Sequence, residues 1–218
     1  MKLIFIGPPG VGKGTYASSI SKIYGIPHIS TGDMIRDEIK RKTELGLKIK
    51  KYVDSGELVP DEIVIEMVRK RLNEDDCRRG FILDGFPRTL KQAKALDKIT
   101  YIDLVLKFEA PVKTIIERIS GRRICRKCGA IYHTKYMPPK VDGICDKCGG
   151  PLIHRKDDTR EVVLHRLEVY KKQFAPIIEY YRKKNLIIEI YAGDPAEIVI
   201  PRIVKILEEK GFKPPPKV

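Results

Sequence analysis

Residues 7–15 read Gly-Pro-Pro-Gly-Val-Gly-Lys-Gly-Thr and directly follow the apolar run Leu3-Ile4-Phe5-Ile6. Gly7, Gly10, Gly12 and Gly14 carry no Cβ, so the backbone can turn its N–H groups inward around phosphate oxygens. Lys13 adds a positive charge, and a helix starting there adds its dipole. In the strand-then-helix setting this is a phosphate-binding loop; a flexible turn would require neither the lysine nor the preceding strand. The ending departs from the general Gly-Lys-Ser/Thr form, because Gly14 stands where a magnesium-binding hydroxyl is expected and Thr15 comes one residue later. Magnesium must then be held differently. Asp84 closes the apolar run Phe81–Leu83, where a carboxylate at the carboxyl edge of a parallel sheet points into the crevice and can hold the ion through water. A helix-capping role for Asp84 is the weaker account, since Thr89 stands closer to the helix that begins there.

A second cluster of chemistry-bearing residues is Cys125-x-x-Cys128 followed, after 16 residues, by Cys145-x-x-Cys148. This is structural-zinc spacing, and four thiolates close the tetrahedron without leaving a position for a catalytic water. The basic residues Arg122-Arg123 and Arg126-Lys127 favour a competing reading, a zinc ribbon that grips nucleic acid. His133 and His154 are alternative ligands that four cysteines at ribbon spacing make unnecessary. Cys77 has no partner visible in the sequence. No apolar stretch approaches the ~20 residues of a membrane span, and the run after Met1-Lys2 is too short for a signal peptide. The expectation is a cytoplasmic chain, in which disulfides are disfavoured.

The elements that must position these groups alternate. Strands are expected at Lys2 to Ile6, His28-Ile29, Phe81 to Leu83, Leu104 to Phe108 and Leu186 to Tyr191, most of them separated by helical patterns, which implies a parallel sheet. Ala17, Ile20 and Ile23 mark a helix over Lys13 to Tyr24, and Ile63, Val64, Met67 and Val68 mark another over Pro60 to Leu72. Two segments interrupt the alternation: a polar helical stretch, Thr31 to Val59, and a stretch from Arg122 to about Asp158 whose Gly, Pro and Cys content reads as loop or small metal-stapled module. Thr159 then opens a long helix through Val163, Leu167, Tyr170, Phe174 and Ile177. The tail after Gly211 is expected to be poorly ordered. The 218 residues thus make one core with two inserts, and 43 Lys and Arg against 29 Asp and Glu give a net charge of +14 that suits a phosphate-bearing partner.

Taken together, the loop, Asp84-Gly85-Phe86-Pro87-Arg88-Thr89 and Ser30-Thr31-Gly32-Asp33 resemble the adenylate kinases, specifically the bacterial type with a long zinc-bearing lid. The resemblance covers essentially the whole chain, and within that family Gly14-Thr15 is the normal ending of the loop. It implies an α/β P-loop nucleoside monophosphate kinase fold, with a central parallel sheet of about five strands flanked by helices. The core would comprise 1–29, 60–121 and 160–218, the nucleoside monophosphate-binding insert 30–59, and the zinc-binding lid 122–159.

The resemblance further implies reversible phosphoryl transfer from MgATP to AMP giving two ADP, by a monomer that needs neither nucleic acid nor membrane. Gly10, Val11, Gly12, Lys13, Gly14 and Thr15 would bind ATP, with Arg118, Ile131 and Tyr132 at its adenine, Arg122 on its phosphates and Asp194 touching it through the backbone. AMP would lie against Thr31, Arg36, Glu57, Leu58, Val59, Gly85, Phe86, Pro87, Arg88 and Gln92. Arg155 and Arg166, with Asp157 and Asp158 near the first of them, would surround the transferred group. Lys13, Asp84, Arg88, Arg122, Arg155 and Arg166 form the catalytic set, with Mg2+ and structural Zn2+ as cofactors and Cys125, Cys128, Cys145 and Cys148 as zinc ligands. Gln92 makes chemical sense at adenine, because one amide both donates and accepts. A different nucleoside monophosphate kinase, with GTP as donor or a pyrimidine acceptor, is the nearest alternative.

Overall fold

The computed structural model describes residues 1–55, 57–155 and 158–216; Asp157 lies outside them. In chain order the strands are β1 (Lys2–Ile6), β2 (His28–Ser30), β3 (Phe81–Asp84), β4 (Leu104–Glu109), β5 (Arg122–Cys125), β6 (Ile131–His133), β7 (Leu152–Ile153) and β8 (Ile187–Tyr191). The helices are α1 (Lys13–Tyr24), α2 (Thr31–Lys40), α3 (Glu44–Ser55), α4 (Asp61–Leu72), α5 (Leu90–Ile99), α6 (Val112–Ser120), α7 (Arg160–Lys183) and α8 (Ala196–Glu209). One all-parallel sheet has the order β2-β3-β1-β4-β8. Beside it β5 pairs antiparallel with β6 and β7 in a small separate sheet.

The parallel sheet is covered on both faces, and β1 shows why its sequence is apolar throughout. Leu3 and Phe5 face one side, packed with Ala17 and Ile20 of α1 and Val199 and Ile203 of α8. Ile4 and Ile6 face the other, with Val68 of α4, Leu96 of α5 and Tyr181 of α7. A strand buried on both faces has no polar side to show, so the period-2 alternation disappears from the sequence while persisting in the structure. Complete burial of four such side chains, worth about 1.5–3 kcal/mol each, anchors the strand from which the glycine loop departs.

The polar helical insert consists of two helices, α2 and α3. The chain leaves α2 at Lys42, which adopts φ 53, and Thr43 Oγ1 then accepts from the Gly46 N–H at 2.9 Å as α3 begins. The second insert carries more regular structure than its composition suggests, with a small core of Cys125, Ala130, Tyr132 and Cys145 backed by Leu152. The tail also departs from expectation at its start. Phe212 N–H donates to Leu207 carbonyl at 3.0 Å and Gly211 N–H to Glu208 carbonyl at 2.9 Å, a paired closure of the α8 end that folds Phe212 against the core. Among the described residues no helix is long and apolar enough to cross a membrane.

Candidate active site

β1 is paired with β3 on one side and β4 on the other, so the sheet order reverses at its carboxyl end. Ligands of open α/β sheets bind in the crevice at such a point. The loop 7–12 leaves β1 there and enters α1 through Gly12, which has φ 111 and caps the helix without any side-chain hydrogen bond. No acidic residue stands in the first turn, so the unpaired N–H groups and the positive end of the helix dipole face the crevice uncompensated. Lys13 curls back over the loop, its Nζ donating to the carbonyls of Gly7 at 2.7 Å and Pro8 at 2.9 Å. Burial pushes its ammonium down to about 8; Asp84 opposes the shift, while Arg88, Arg166 and Arg122 add to it.

Asp84 sits at the carboxyl end of β3, with His28 Nε2 3.2 Å from its Oδ2. Burial alone would raise the Asp84 carboxyl, but the His28 hydrogen bond and the Lys13 charge outweigh that and hold it below the ordinary carboxylate range. An ionised carboxylate only accepts, so His28 Nε2 is the donor. A Cβ on Gly14 would come 3.3 Å from Ile131 Cδ1 and 3.6 Å from Asp84 Oδ2, so the bare glycine keeps the way open between the loop, the carboxylate and the lid. Asp84 and the hydroxyl of Thr15 border the same cleft. Hard oxygen donors beside a phosphate cradle are the chemistry a magnesium ion requires.

The cleft encloses about 450 Å3, and cationic side chains reach it from every part of the chain: Lys13, Arg36, Arg88, Arg118, Arg122, Arg155 and Arg166. Oxygen acceptors hold Lys13, Arg36, Arg88, Arg118 and Arg122 in place. Arg88 Nε donates to the Gly85 carbonyl at 2.7 Å. Arg118 is fastened by the carbonyls of Val11 at 2.9 Å, Ala192 at 2.6 Å and Asp194 at 2.7 Å. Asp33 lies 2.5 Å from Arg36 and 3.7 Å from Arg155, joining the two inserts across the cleft mouth. Ile131 and Tyr132 of the lid line the same space.

A smaller recess opens beside it between α2, the 57–59 segment and α5, and draws in Thr31, Arg36, Glu57, Leu58, Val59, Gly85, Arg88, Gln92 and Arg166. Thr31 Oγ1 donates to the Gly85 carbonyl at 2.8 Å. Thr89 caps α5, its Oγ1 accepting from the Gln92 N–H, which leaves Asp84 free of a capping role. Four of the residues expected at the nucleotides stand apart from both spaces. Val11, Phe86 and Pro87 are buried in the protein interior, and Asp194 turns its carboxylate to Arg202 at 2.8 Å. Sequence reasoning passed over His28, Asp33 and Asp61. The rule that strand carboxyl ends border the crevice points to Asp33, in the first turn of α2 just past the end of β2 at Ser30, but nothing local marks His28, which begins β2, or distinguishes Asp61 from an ordinary helix-start acid.

The four cysteine Sγ atoms lie within 4.8 Å of one another, with Cys125 and Cys148 at 3.5 Å and Cys128 and Cys145 at 3.6 Å. Those separations exclude sulfur–sulfur bonds and match the edges, about 3.8 Å, of a tetrahedron with metal–sulfur bonds near 2.3 Å. The tetrad therefore fits a metal ion. The histidines are used elsewhere: His133 Nδ1 accepts from the N–H groups of Lys135 and Tyr136, and His154 Nε2 lies 3.4 Å from the Ile119 carbonyl.

A sequence model of the adenylate kinase family matches residues 5–186. The adenylate kinase of Carboxydothermus hydrogenoformans is 54% identical over 215 residues, covering 96% of this chain and 100% of that protein. Those of Clostridium tetani and Archaeoglobus fulgidus are each 52% identical, over 212 and 214 residues, covering 95% and 96% of this chain and 98% and 99% of theirs. Identity at this level over nearly the full length, joined to a glycine loop at the switch point of a parallel sheet, makes the chain a member of the adenylate kinase family.

Proposed function

We propose that this chain catalyses reversible phosphoryl transfer from MgATP to AMP, giving two ADP. The observation that carries the reading is the convergence on one cleft of Lys13, Asp84 and arginines from the core and both ends of the lid, with a second recess opening beside it that contains Thr31 and Gln92. Two nucleotides meeting phosphate to phosphate need such a pair of spaces.

In this reading the core spans 1–29, 60–121 and 160–218, the insert 30–59 receives AMP, and the lid 122–159 covers ATP. The loop from Gly10 to Thr15 wraps the ATP phosphates through its N–H groups, Lys13 neutralises them, and Arg118 with Ile131 and Tyr132 flanks the adenine. Asp194 contributes through its backbone only. Thr31, the 57–59 backbone, Gly85 and Gln92 hold the AMP base, and Arg36 and Arg88 hold its phosphate. Arg122, Arg155 and Arg166 spread the charge of the group in transit. Asp84 would hold, through water, the magnesium ion that neutralises phosphate oxygens when bound. No general base is required, because the AMP phosphate is already an anion near neutral pH. The four cysteines hold zinc, which staples the lid. The protein acts as a cytoplasmic monomer on small nucleotides.

A coupled assay of ADP formation across donor and acceptor pairs, with and without magnesium, tests the reading. ADP from ATP and AMP is expected to dominate the panel; preference for GTP or for a pyrimidine monophosphate would replace it with another kinase of the same chemistry. Tight, salt-sensitive binding of oligonucleotides without turnover would support the nucleic-acid alternative instead.

A further inference from the structure

Gln92 is 1% exposed, yet it lines the smaller recess, and both ends of its amide are already engaged. Its Oε1 accepts from the Arg88 backbone N–H at 2.7 Å, and its Nε2 donates to Asp61 Oδ1 at 2.8 Å. Asp61 stands at the first turn of α4, 31 residues before Gln92, and its other oxygen accepts from Thr89 Oγ1 at 2.9 Å. An ionised carboxylate can only accept, and a backbone N–H can only donate. Turning the amide over would set Oε1 against the Asp61 carboxylate and Nε2 against the Arg88 N–H, two like-with-like contacts in a buried place. The amide therefore has one orientation.

We infer that Asp61 is the positioning residue that fixes the hydrogen-bond polarity of Gln92 and so sets the acceptor base as adenine rather than hypoxanthine or guanine. This rests on the reading of the recess as the AMP site. A carboxamide has two N–H donors and two acceptor lone pairs, and Asp61 and Arg88 consume one of each. One donor and one lone pair remain for a base. Adenine presents an acceptor at N1 and a donor at its 6-amino group, which complements them. Hypoxanthine and guanine present a donor at N1 and an acceptor at O6, the reverse pair, and would leave buried groups unmatched. Binding sites built on such polarity discriminate far better than sites that measure only size. Arg88 contributes its backbone and is present in every variant, so Asp61 is the part of the lock that substitution can remove.

The test compares AMP with inosine monophosphate as acceptor, MgATP being the donor. Asp61→Ala removes the acceptor from the amide and is expected to lower the AMP-to-IMP ratio of kcat/KM at least about tenfold, mainly through KM for AMP, with kcat for AMP within about twofold of the parent. Asp61→Asn, which can still turn an oxygen to Gln92 and an N–H to Thr89, is expected to restore the ratio. A helix-start acid acting only through stability would lower the thermal midpoint without moving the ratio, and that result would overturn the inference. Should Asp61→Ala not fold, Asp61→Ser supplies a hydroxyl that tolerates either amide orientation and must lower the ratio too. Gln92→Leu separates the layers. If it abolishes discrimination while the Asp61 variants do not, the inference fails and the site stands; if it changes nothing, the reading of the recess fails.

Discussion

Arg122 and Asp158 grip each other from the two ends of the lid segment: Arg122 Nε donates to Asp158 Oδ2 at 2.8 Å while its NH2 reaches Oδ1. The Asp158 carboxylate has no exposed surface and the Arg122 side chain is 18% exposed, so the pair is largely removed from water. Deleting one partner of a buried pair strands the other charge and costs about 3–5 kcal/mol. Asp158→Ala is therefore expected to lower the thermal midpoint by several degrees and to reduce kcat, since Arg122 loses the contact that aims it into the cleft. Paired melting curves and steady-state rates check this, and an unchanged midpoint would show that the pair is dispensable.

Lys13 ties the site to pH. Its ammonium titrates near 8 in the folded protein, against the ordinary 10.5, because burial opposes the charge. Between those values the unfolded chain keeps a proton that the folded chain has released, so the ligand-free protein gains stability from this group as pH rises from 8 toward 10.5. Nucleotide binding has the opposite sign: a phosphate favours the charged lysine, so binding above pH 8 takes up a proton and ATP affinity should fall by up to about tenfold per pH unit. Calorimetric titration of ATP from about pH 7 to 10 measures the slope. Lys13→Met, which keeps the apolar stem, should abolish it and lose most of the rate while melting close to the parent. A flat affinity profile in the unaltered protein would contradict the assignment.

What could be read from the sequence was whatever is written locally. Leu3 to Ile6 announce a strand buried on both faces, the glycines with Lys13 between that strand and a helix announce a phosphate, and the cysteine pairs announce a tetrad. Chain reversals and through-space partners are a different matter. The break at Lys42 carries no Gly or Pro, so the insert reads as one helical stretch. His28 meets Asp84 only because β2 and β3 lie side by side in register, Ser30 opposite Asp84. Asp61 meets Gln92 only because α4 and α5 converge at their amino-terminal ends. Phe212 looked like the start of a loose tail because its closure depends on the helix before it rather than on the prolines after it.

Gly46 reverses an ordinary expectation about helices. Near the start of α3, alanine in place of glycine should add up to about 1 kcal/mol from helix propensity. Here an added Cβ would fall 2.1 Å from the Glu38 carbonyl oxygen and 2.5 Å from its carbon, so the backbones of α2 and α3 would have to separate. Forced repacking of that kind costs about 1–3 kcal/mol and exceeds the gain. Gly46→Ala should thus lower the midpoint and, because α2 carries Thr31 and Arg36, weaken AMP binding several-fold while leaving ATP binding near the parent. Thermal melts with separate AMP and ATP titrations decide it; a raised midpoint would mean that the helices part without cost.

Removing the metal should act on the lid and spare the sheet. Among the described residues the lid cluster comprises Cys125, Ala130, Tyr132 and Cys145 with Leu152 beside them, too little apolar burial to hold nearly forty residues against their chain entropy. A four-thiolate zinc site contributes about 10–16 kcal/mol in small peptides at neutral pH, more than this cluster can offer. Chelation, or Cys145→Ser, is expected to lower the thermal midpoint and open the 134–150 region to protease. It should also weaken ATP binding, because Ile131 and Tyr132 lose their support, while the parallel sheet keeps its far-ultraviolet signal. Elemental analysis should find about one zinc per chain beforehand. Verified metal-free protein that melts at the same temperature and resists protease equally would mean that the sulfurs hold the lid without an ion.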